Sequence, residues 1–220
     1  YRNINHLETV ITPITENTAA ISYLKHIGFF RYIGINLGNN IGTAFGSSTY
    51  IPIQSISKEE FLGKEDNLQT LIQEKSQSLS NILLGAQSHT ERDASLVISY
   101  SIREILRNVF EHSESNECFI CAQRWQDGRA EIAILDNGVG IFNTLSQAYS
   151  ITEEEAISEA LKPGVTRTSK LSNDQNIHQN SGFGLYAISE IGRSFGEFHI
   201  GSGSKIYSST KTPNIRQCIF

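Results

Sequence analysis

The chain lacks the features that would place it in a membrane, in a disulfide-rich class or on nucleic acid. No apolar run reaches the roughly 18 residues that a membrane span requires. Its three cysteines, an odd number, do not make a disulfide framework. A net charge of −5 gives no electrostatic reason to expect a nucleic-acid partner, although a local basic patch stays open. No signal-peptide pattern is visible, and we therefore expect a reducing, cytoplasmic location.

Methionine is also absent, even at position 1. This is expected either of a fragment or of a sequence that has lost its methionines, and in the second case some spacings below are slightly short. Motifs whose residues are contiguous keep their meaning in both cases.

The composition that remains is that of an ordinary globular protein, with 39% hydrophobic and 19% charged residues in a chain of 220. Its periodicities change several times between those of helices and those of strands. They predict helices over residues 15–27, 64–87, 93–112, 152–161 and 184–193, and strands over 50–56, 118–125, 130–135 and in a hairpin over 198–207. The spacing also predicts Asp93 as a helix cap, a capping box of Thr152 and Glu155 at the start of the 152–161 helix, a glycine-rich loop between residues 34 and 46, and a long polar loop over residues 162–181.

Two polar residues stand one helical turn apart in the helix predicted over residues 93–112. Glu104 and Asn108 are at positions i and i+4, so they share a face of that helix. An amide oxygen can coordinate Mg²⁺, which prefers hard oxygen ligands. A carboxylate beside it can polarise an attacking water. Taken alone, however, the pair is better explained by an exposed polar helix face.

A second segment, Asp136–Ile141, reads Asp-Asn-Gly-Val-Gly-Ile and follows a predicted strand directly. The glycines leave Asp136 at a sharp turn with no bulky neighbours. Its carboxylate can therefore accept a hydrogen bond from an exocyclic amine such as that of adenine. The simpler interpretation is a tight turn after a strand.

A third segment, Ser181–Leu185, reads Ser-Gly-Phe-Gly-Leu and opens a predicted helix after the long polar loop. Backbone N–H groups at a helix N-terminus favour phosphate groups. Gly182 and Gly184 would let a phosphate approach the backbone closely. A flexible loop followed by a helix cap gives the same pattern.

Together and in this order, the three segments resemble the nucleotide-binding boxes of the GHKL ATPase superfamily, which includes gyrase, heat-shock chaperones, histidine kinases and MutL. Residues 104–112 resemble its N box, 136–141 its first glycine box and 181–185 its second; the resemblance covers about residues 93–210. The run from Arg103 to Ser113 is most similar to that of bacterial anti-sigma-factor serine kinases. Residues 160–166 resemble a segment that precedes the lid in kinase-like members.

The resemblance implies a role for each of these positions. Glu104 stands where the hydrolysing members have their general base, Asn108 would bind Mg²⁺, and Asp136 would accept from the adenine amine. The remaining residues implied in ATP binding are Gly138, Gly140, Ile141, Thr166, Ser181, Gly182, Phe183, Gly184 and Leu185.

Other nucleotide and metal motifs do not fit. Neither GxGxxG nor GxxxxGK[ST] occurs in the chain. Cys118 and Cys121 form CxxC, but in a predicted strand they face opposite sides and have no second cysteine pair to complete a zinc site.

We therefore expect an α/β (α+β) two-layer sandwich of the Bergerat type, with helices on one face of a mixed, mainly antiparallel sheet. Residues 1–90 would form an N-terminal α/β region of unknown role and residues 91–220 the ATP-binding domain. The expected function is a Mg-ATP-binding regulatory module that hydrolyses ATP slowly and whose 162–181 lid, when ordered, controls a protein partner. A protein serine or histidine kinase and a non-hydrolysing nucleotide-gated module are the alternatives, and a homodimer stays open.

Overall fold

The computed structural model describes residues 18–61, 65–85, 92–165, 182–209 and 214–217. The helices are α1 (Ala19–His26), α2 (Phe29–Tyr32), α3 (Glu65–Leu84), α4 (Arg92–His112), α5 (Gly140–Leu145), α6 (Glu153–Ala160) and α7 (Gly184–Phe195), with a 3₁₀ turn at Lys58–Phe61. The strands are β1 (Tyr50–Ser57), β2 (Glu117–Arg124), β3 (Ala130–Asp136), β4 (Phe198–Ser202), β5 (Lys205–Ser209) and β6 (Asn214–Gln217). Thr166, Ser181 and the loop between them lie outside the described residues.

The predicted helices and strands all have counterparts, whereas the short helices α2 and α5, the 3₁₀ turn and strand β6 were not predicted. One predicted detail is wrong: the chain is already helical at Arg92, so Asp93 lies inside α4 and is not its cap. The predicted capping box of α6 is confirmed, since the N–H of Thr152 donates to the Glu155 carboxylate at 2.8 Å.

The fold class is α+β, and every pairing between described strands is antiparallel. The described strands form two three-stranded sheets, in the orders β1-β2-β3 and β4-β5-β6, where a single mixed sheet was expected. The β2–β3 hairpin is regular from Cys118 opposite Asp136 to Arg124 opposite Ala130, whereas the β1–β2 register shifts between Ile51 and Gln54.

The core lies between the first sheet and helices α3 and α4. Helix α4 contributes a buried stripe at helical spacing, consisting of Ile98, Ile102, Leu106 and Val109. From the sheet, alternate residues of β2 face the same core: Cys118, Ile120 and Ala122. Residues from before and after position 90 share this cluster, so the predicted domain division there does not coincide with a break in the core and stays a prediction.

The opposite face of the first sheet is covered as well, which differs from the expected helices on one face. Phe119 points to that side, and its ring lies 5.0 Å from the ring of Tyr32 at the end of α2. The glycine-rich loop also protects the edge of β1. The N–H of Gly42 donates to the carbonyl of Ile53, and the N–H of Ile53 donates to Ile27.

Helix α7 lies between α4 and the second sheet, contacting α4 on one side and strands β4 and β5 on the other. Helix α6 packs on β5, and α5 on β4. Helix α7 therefore connects α4 to the second sheet. None of the described helices is both long enough and apolar enough to span a bilayer.

The buried stripe of α4 predicts a large loss of stability on truncation. Leu106 is 0% exposed, and Leu106→Ala should lower the free energy of unfolding by about 2–5 kcal/mol, because it removes packing and leaves a cavity. Leu96 on the same helix is 63% exposed, and Leu96→Ala should change the free energy by no more than about 0.5 kcal/mol. Denaturant unfolding of both variants measures the difference, and equal losses would contradict this account of the core.

Candidate functional site

Glu104 occupies an unusual position on helix α4. A helix turns about 100° per residue, which puts Glu104 on the side roughly opposite the buried stripe, where a carboxylate is normally solvated. It is nevertheless only 5% exposed. Asn108 follows one turn later and is partly buried. The burial of Glu104 comes from helix α7, which covers this outer side of α4.

The carboxylate of Glu104 is paired within its own helix. Arg107 donates from Nη1 to Glu104 Oε1 at 3.2 Å and from Nε to Glu111 Oε1 at 3.0 Å. Burial opposes the charge on Arg107, but hydrogen bonds and attraction from Glu111 and Glu104 outweigh it and raise the pKa of Arg107. The guanidinium therefore stays charged and supplies the counter-charge that a buried carboxylate needs.

The segments that resemble the second glycine box and the N box, and that keep those names below, are in direct contact. A Cβ placed on Gly184 would overlap the Cβ of Glu104, so the first turn of α7 can approach α4 this closely only without a side chain there. Leu185 is half-buried in α7, and Phe183 is 46% exposed at its N-cap. The approach brings the N–H groups at the start of α7 beside the predicted base.

Asp136 ends strand β3 with its carboxylate exposed. Its Oδ1 accepts from the N–H of Gly138 at 2.8 Å, a local turn in which the side chain replaces a backbone acceptor. The turn fixes the direction of the carboxylate while its second oxygen, Oδ2, is not part of that hydrogen bond.

Ser113, just after α4, joins the first glycine box to the N box. Its N–H donates to the carbonyl of Asn108 at 3.1 Å, and its carbonyl accepts from Val139 at 2.7 Å. Gly138 lies so close to Ser113 that a Cβ at position 138 would overlap the carbonyl oxygen of Ser113. The first glycine box is therefore held against the C-terminal end of the helix that carries Asn108.

The rest of the first glycine box is fixed by the second sheet. Gly140 has a φ of +82°, a conformation that favours glycine. The N–H of Ile141 donates to Ser202 Oγ on β4 at 2.8 Å. Beside this turn lies a cleft of about 300 Å³, between α5, α6 and the β4–β5 turn; Asn143, Glu153 and Ser202 are among the residues that line it.

Gly182 connects the second glycine box to the end of the α6 region. Its carbonyl accepts from the N–H of Gly164 at 3.1 Å, and a Cβ at position 182 would lie 2.7 Å from the carbonyl carbon of Gly164. Thr166 and Ser181, which the resemblance also assigned to the pocket, fall outside the described residues, and their roles stay predictions.

Sequence reasoning missed three residues that organise this region: Arg107, Ser113 and Ser202. The i+3 and i+4 spacings of Arg107 to its two carboxylates could have indicated its ion pairs. No local signal could have found Ser202, because its partner Ile141 is 61 positions away along the chain.

In the part of the chain that the structure describes, acidic, histidine and cysteine side chains do not cluster as metal ligands. Within the described ranges, no group of three or more His, Cys, Asp or Glu residues could hold an ion. The rejection of a CxxC zinc clip agrees with the strand geometry, since Cys118 faces the core and Cys121 the other side of β2. Burial, with the nearby charges of Asp136 and Glu117, raises the pKa of Cys118 to about 12, so it stays a thiol at neutral pH.

Comparison with models of known protein families, with curated proteins and with solved structures found no match to this chain.

The contact between α7 and α4 predicts that position 184 does not tolerate a side chain. Helix propensity favours Ala over Gly by about 1 kcal/mol. Overpacking a tight contact costs about 1–3 kcal/mol, so Gly184→Ala should be destabilising on balance.

Gly196 is the matched control, because a Cβ there meets nothing within 4 Å and its φ is −172°. Gly196→Ala should leave the free energy of unfolding within about 0.5 kcal/mol of the parent. Denaturant titration compares the two variants. A Gly184→Ala protein as stable as the parent would mean that α7 does not press on Glu104.

Proposed function

We propose that the protein binds Mg-ATP where helix α4 meets the two glycine boxes, as a Bergerat-type ATPase of the GHKL superfamily. One observation carries the proposal. Two glycine-bearing segments, distant along the chain, converge on helix α4, which carries the third segment: Gly184 packs on Glu104, and Gly138 packs on Ser113 beside the end of the helix. These are the segments whose residue types suit a base, a metal, an adenine and a phosphate chain.

Each part of the nucleotide has a suitable partner in this arrangement. Asn108 would offer its amide oxygen to Mg²⁺, whose other ligands would be phosphate oxygens and water, as this ion prefers. The exposed carboxylate of Asp136 would accept from the adenine amine. Helix α7, twelve residues long, would direct its N-terminal N–H groups at the phosphates.

Glu104 would act as the general base of a slow hydrolysis. A water oxygen bonds to the γ-phosphorus, the bond from that phosphorus to the ADP oxygen breaks, and the water proton passes to the Glu104 carboxylate before release to solvent. Such a base must lie within hydrogen-bonding reach of the water. Glu104 lies on the same side of helix α4 as Asn108, which follows one turn later.

We further propose that ATP binding serves regulation, with residues 162–181 closing over the nucleotide and changing a contact with a protein partner. Residues 166–181 lie outside the described residues, so this part rests on the sequence pattern alone.

The adenine assignment predicts a loss of affinity in Asp136→Asn. Hydrogen bonds to a charged group contribute about 1.5–3 kcal/mol, so ATP binding should weaken roughly 10- to 100-fold. The Asn side chain keeps an acceptor for the Gly138 N–H, which preserves the turn. Calorimetry with Mg-ATP measures the affinity. The control is Asp127→Asn, in the exposed turn at the far end of the same hairpin, which should bind as the parent does.

The base assignment predicts that Glu104→Gln abolishes phosphate release while ATP affinity stays within a few fold. Removing a general base typically slows a reaction by about 10²–10⁴-fold. Glu190→Gln, on α7 beside Arg193, is the control and should hydrolyse at the parental rate.

If Glu104→Gln hydrolyses ATP at the parental rate, Glu104 is not the general base. Phosphate transfer to a protein hydroxyl, lost in the same variant, would instead favour the kinase alternative. A parent that binds ATP but neither releases nor transfers phosphate is a nucleotide-gated binding module.

A further inference from the structure

Arg107 lies between two carboxylates of helix α4 and is held in a fixed orientation. Glu111 accepts two of its N–H groups, from Nε at 3.0 Å and from Nη2 at 3.3 Å. A two-pronged contact of this kind fixes the plane of the guanidinium as well as its position. The remaining nitrogen, Nη1, is thereby directed at Glu104 Oε1, 3.2 Å away.

Burial distinguishes the contact of Arg107 with Glu104 from the contact that Arg103 makes with the same carboxylate. The Arg107 and Glu104 side chains are 11% and 6% exposed, so solvent screens their interaction little. Arg103 approaches the same oxygen, but at 3.8 Å and with a side chain 36% exposed. Arg107 is therefore the stronger restraint on the Glu104 carboxylate.

The carboxylate is confined from a second direction by helix α7. Gly184 packs on the Cβ of Glu104, which limits the rotamers open to the side chain. Both arginines approach Oε1, so Oε2 is the oxygen that they do not occupy. Confinement from two directions gives Oε2 a defined direction, which is what a base acting on a water needs.

We propose that Arg107 is a positioning residue, held by Glu111, that aims Glu104 at the attacking water in ATP hydrolysis. The inference rests on the proposed function, because it concerns the same reaction. Arg107 need not touch the nucleotide for this role. Its effect passes through Glu104, and a displacement of about 1 Å in a reacting group can cost on the order of 100-fold in rate.

The test compares Arg107→Gln with Arg103→Gln. Arg107→Gln should lower kcat about 10- to 100-fold, whereas Arg103→Gln should stay within about 2-fold of the parent. The affinity of Arg107→Gln for Mg-ATP should remain near the parental value, because the arginine acts on the chemical step. Phosphate release gives kcat, and calorimetry gives the affinity.

Two further variants separate positioning from folding. Arg107→Lys keeps the charge but cannot form the fork to Glu111, so it should recover only part of the rate. Glu111→Gln leaves Glu104 and Arg107 in place while weakening the fork, and it should lower kcat by several fold. This variant tests the positioning role where Arg107→Gln does not fold. A folded Arg107→Gln protein with the parental kcat would overturn the positioning role. Where that variant does not fold, a parental kcat in Glu111→Gln would overturn it. A loss of ATP affinity equal to the loss of rate would overturn it as well.

Glu104→Gln distinguishes this failure from failure of the proposed function. If Glu104→Gln is inactive while Arg107→Gln turns over as the parent does, only the positioning role is overturned. If Glu104→Gln hydrolyses ATP normally, or the parent does not hydrolyse it, the proposed base is wrong and the positioning role falls with it.

Discussion

The contact between the first turn of helix α7 and Glu104 on helix α4 is the constraint on which the rest of the arrangement depends. It requires a glycine at position 184, since any Cβ there would overlap the Glu104 side chain. Through it, α7 connects the core built on the first sheet to strands β4 and β5 of the second. The same contact buries a carboxylate that helix periodicity would leave in water.

Burying Glu104 creates an electrostatic demand that the helix itself meets. An isolated ionised carboxylate is costly away from water, and one whose partner is removed is strongly destabilising. Arg107 is placed one turn away and is held in turn by Glu111. The packing of α7 on α4 thus leads to an ordered ion pair between Glu104 and Arg107, beside the segment that opens α7.

The N-terminal half of the chain is part of the same architecture. Strand β1 pairs with β2, helix α3 packs on α4, and helix α2 reaches the other face of the first sheet through Tyr32. This half therefore completes the core on which α4 packs. That packing sets the rotation of α4 about its own axis. That rotation decides which side of α4, and hence which of its polar residues, meets α7.

Local pattern in the sequence was enough to predict most secondary structure and to select the residues of the candidate site. The stripe of α4, the alternation of β2 and the capping box of α6 depend on neighbours within a few positions, so they could be predicted without the fold. Glu104, Asn108 and Asp136 were selected in the same way, from spacing and from their place at a helix face or a strand end.

Only the tertiary structure decided which of these residues meet. The division of the strands into two sheets, the cover on both faces of the first sheet and the burial of Glu104 result from contacts between segments far apart in the chain. The hydrogen bonds of Ser202 on β4 and of Ser113 after α4 with residues of the candidate site have the same origin. Periodicity specifies which face of an element is apolar, but the partner that covers the other face is set by long-range packing, which no local window of sequence contains.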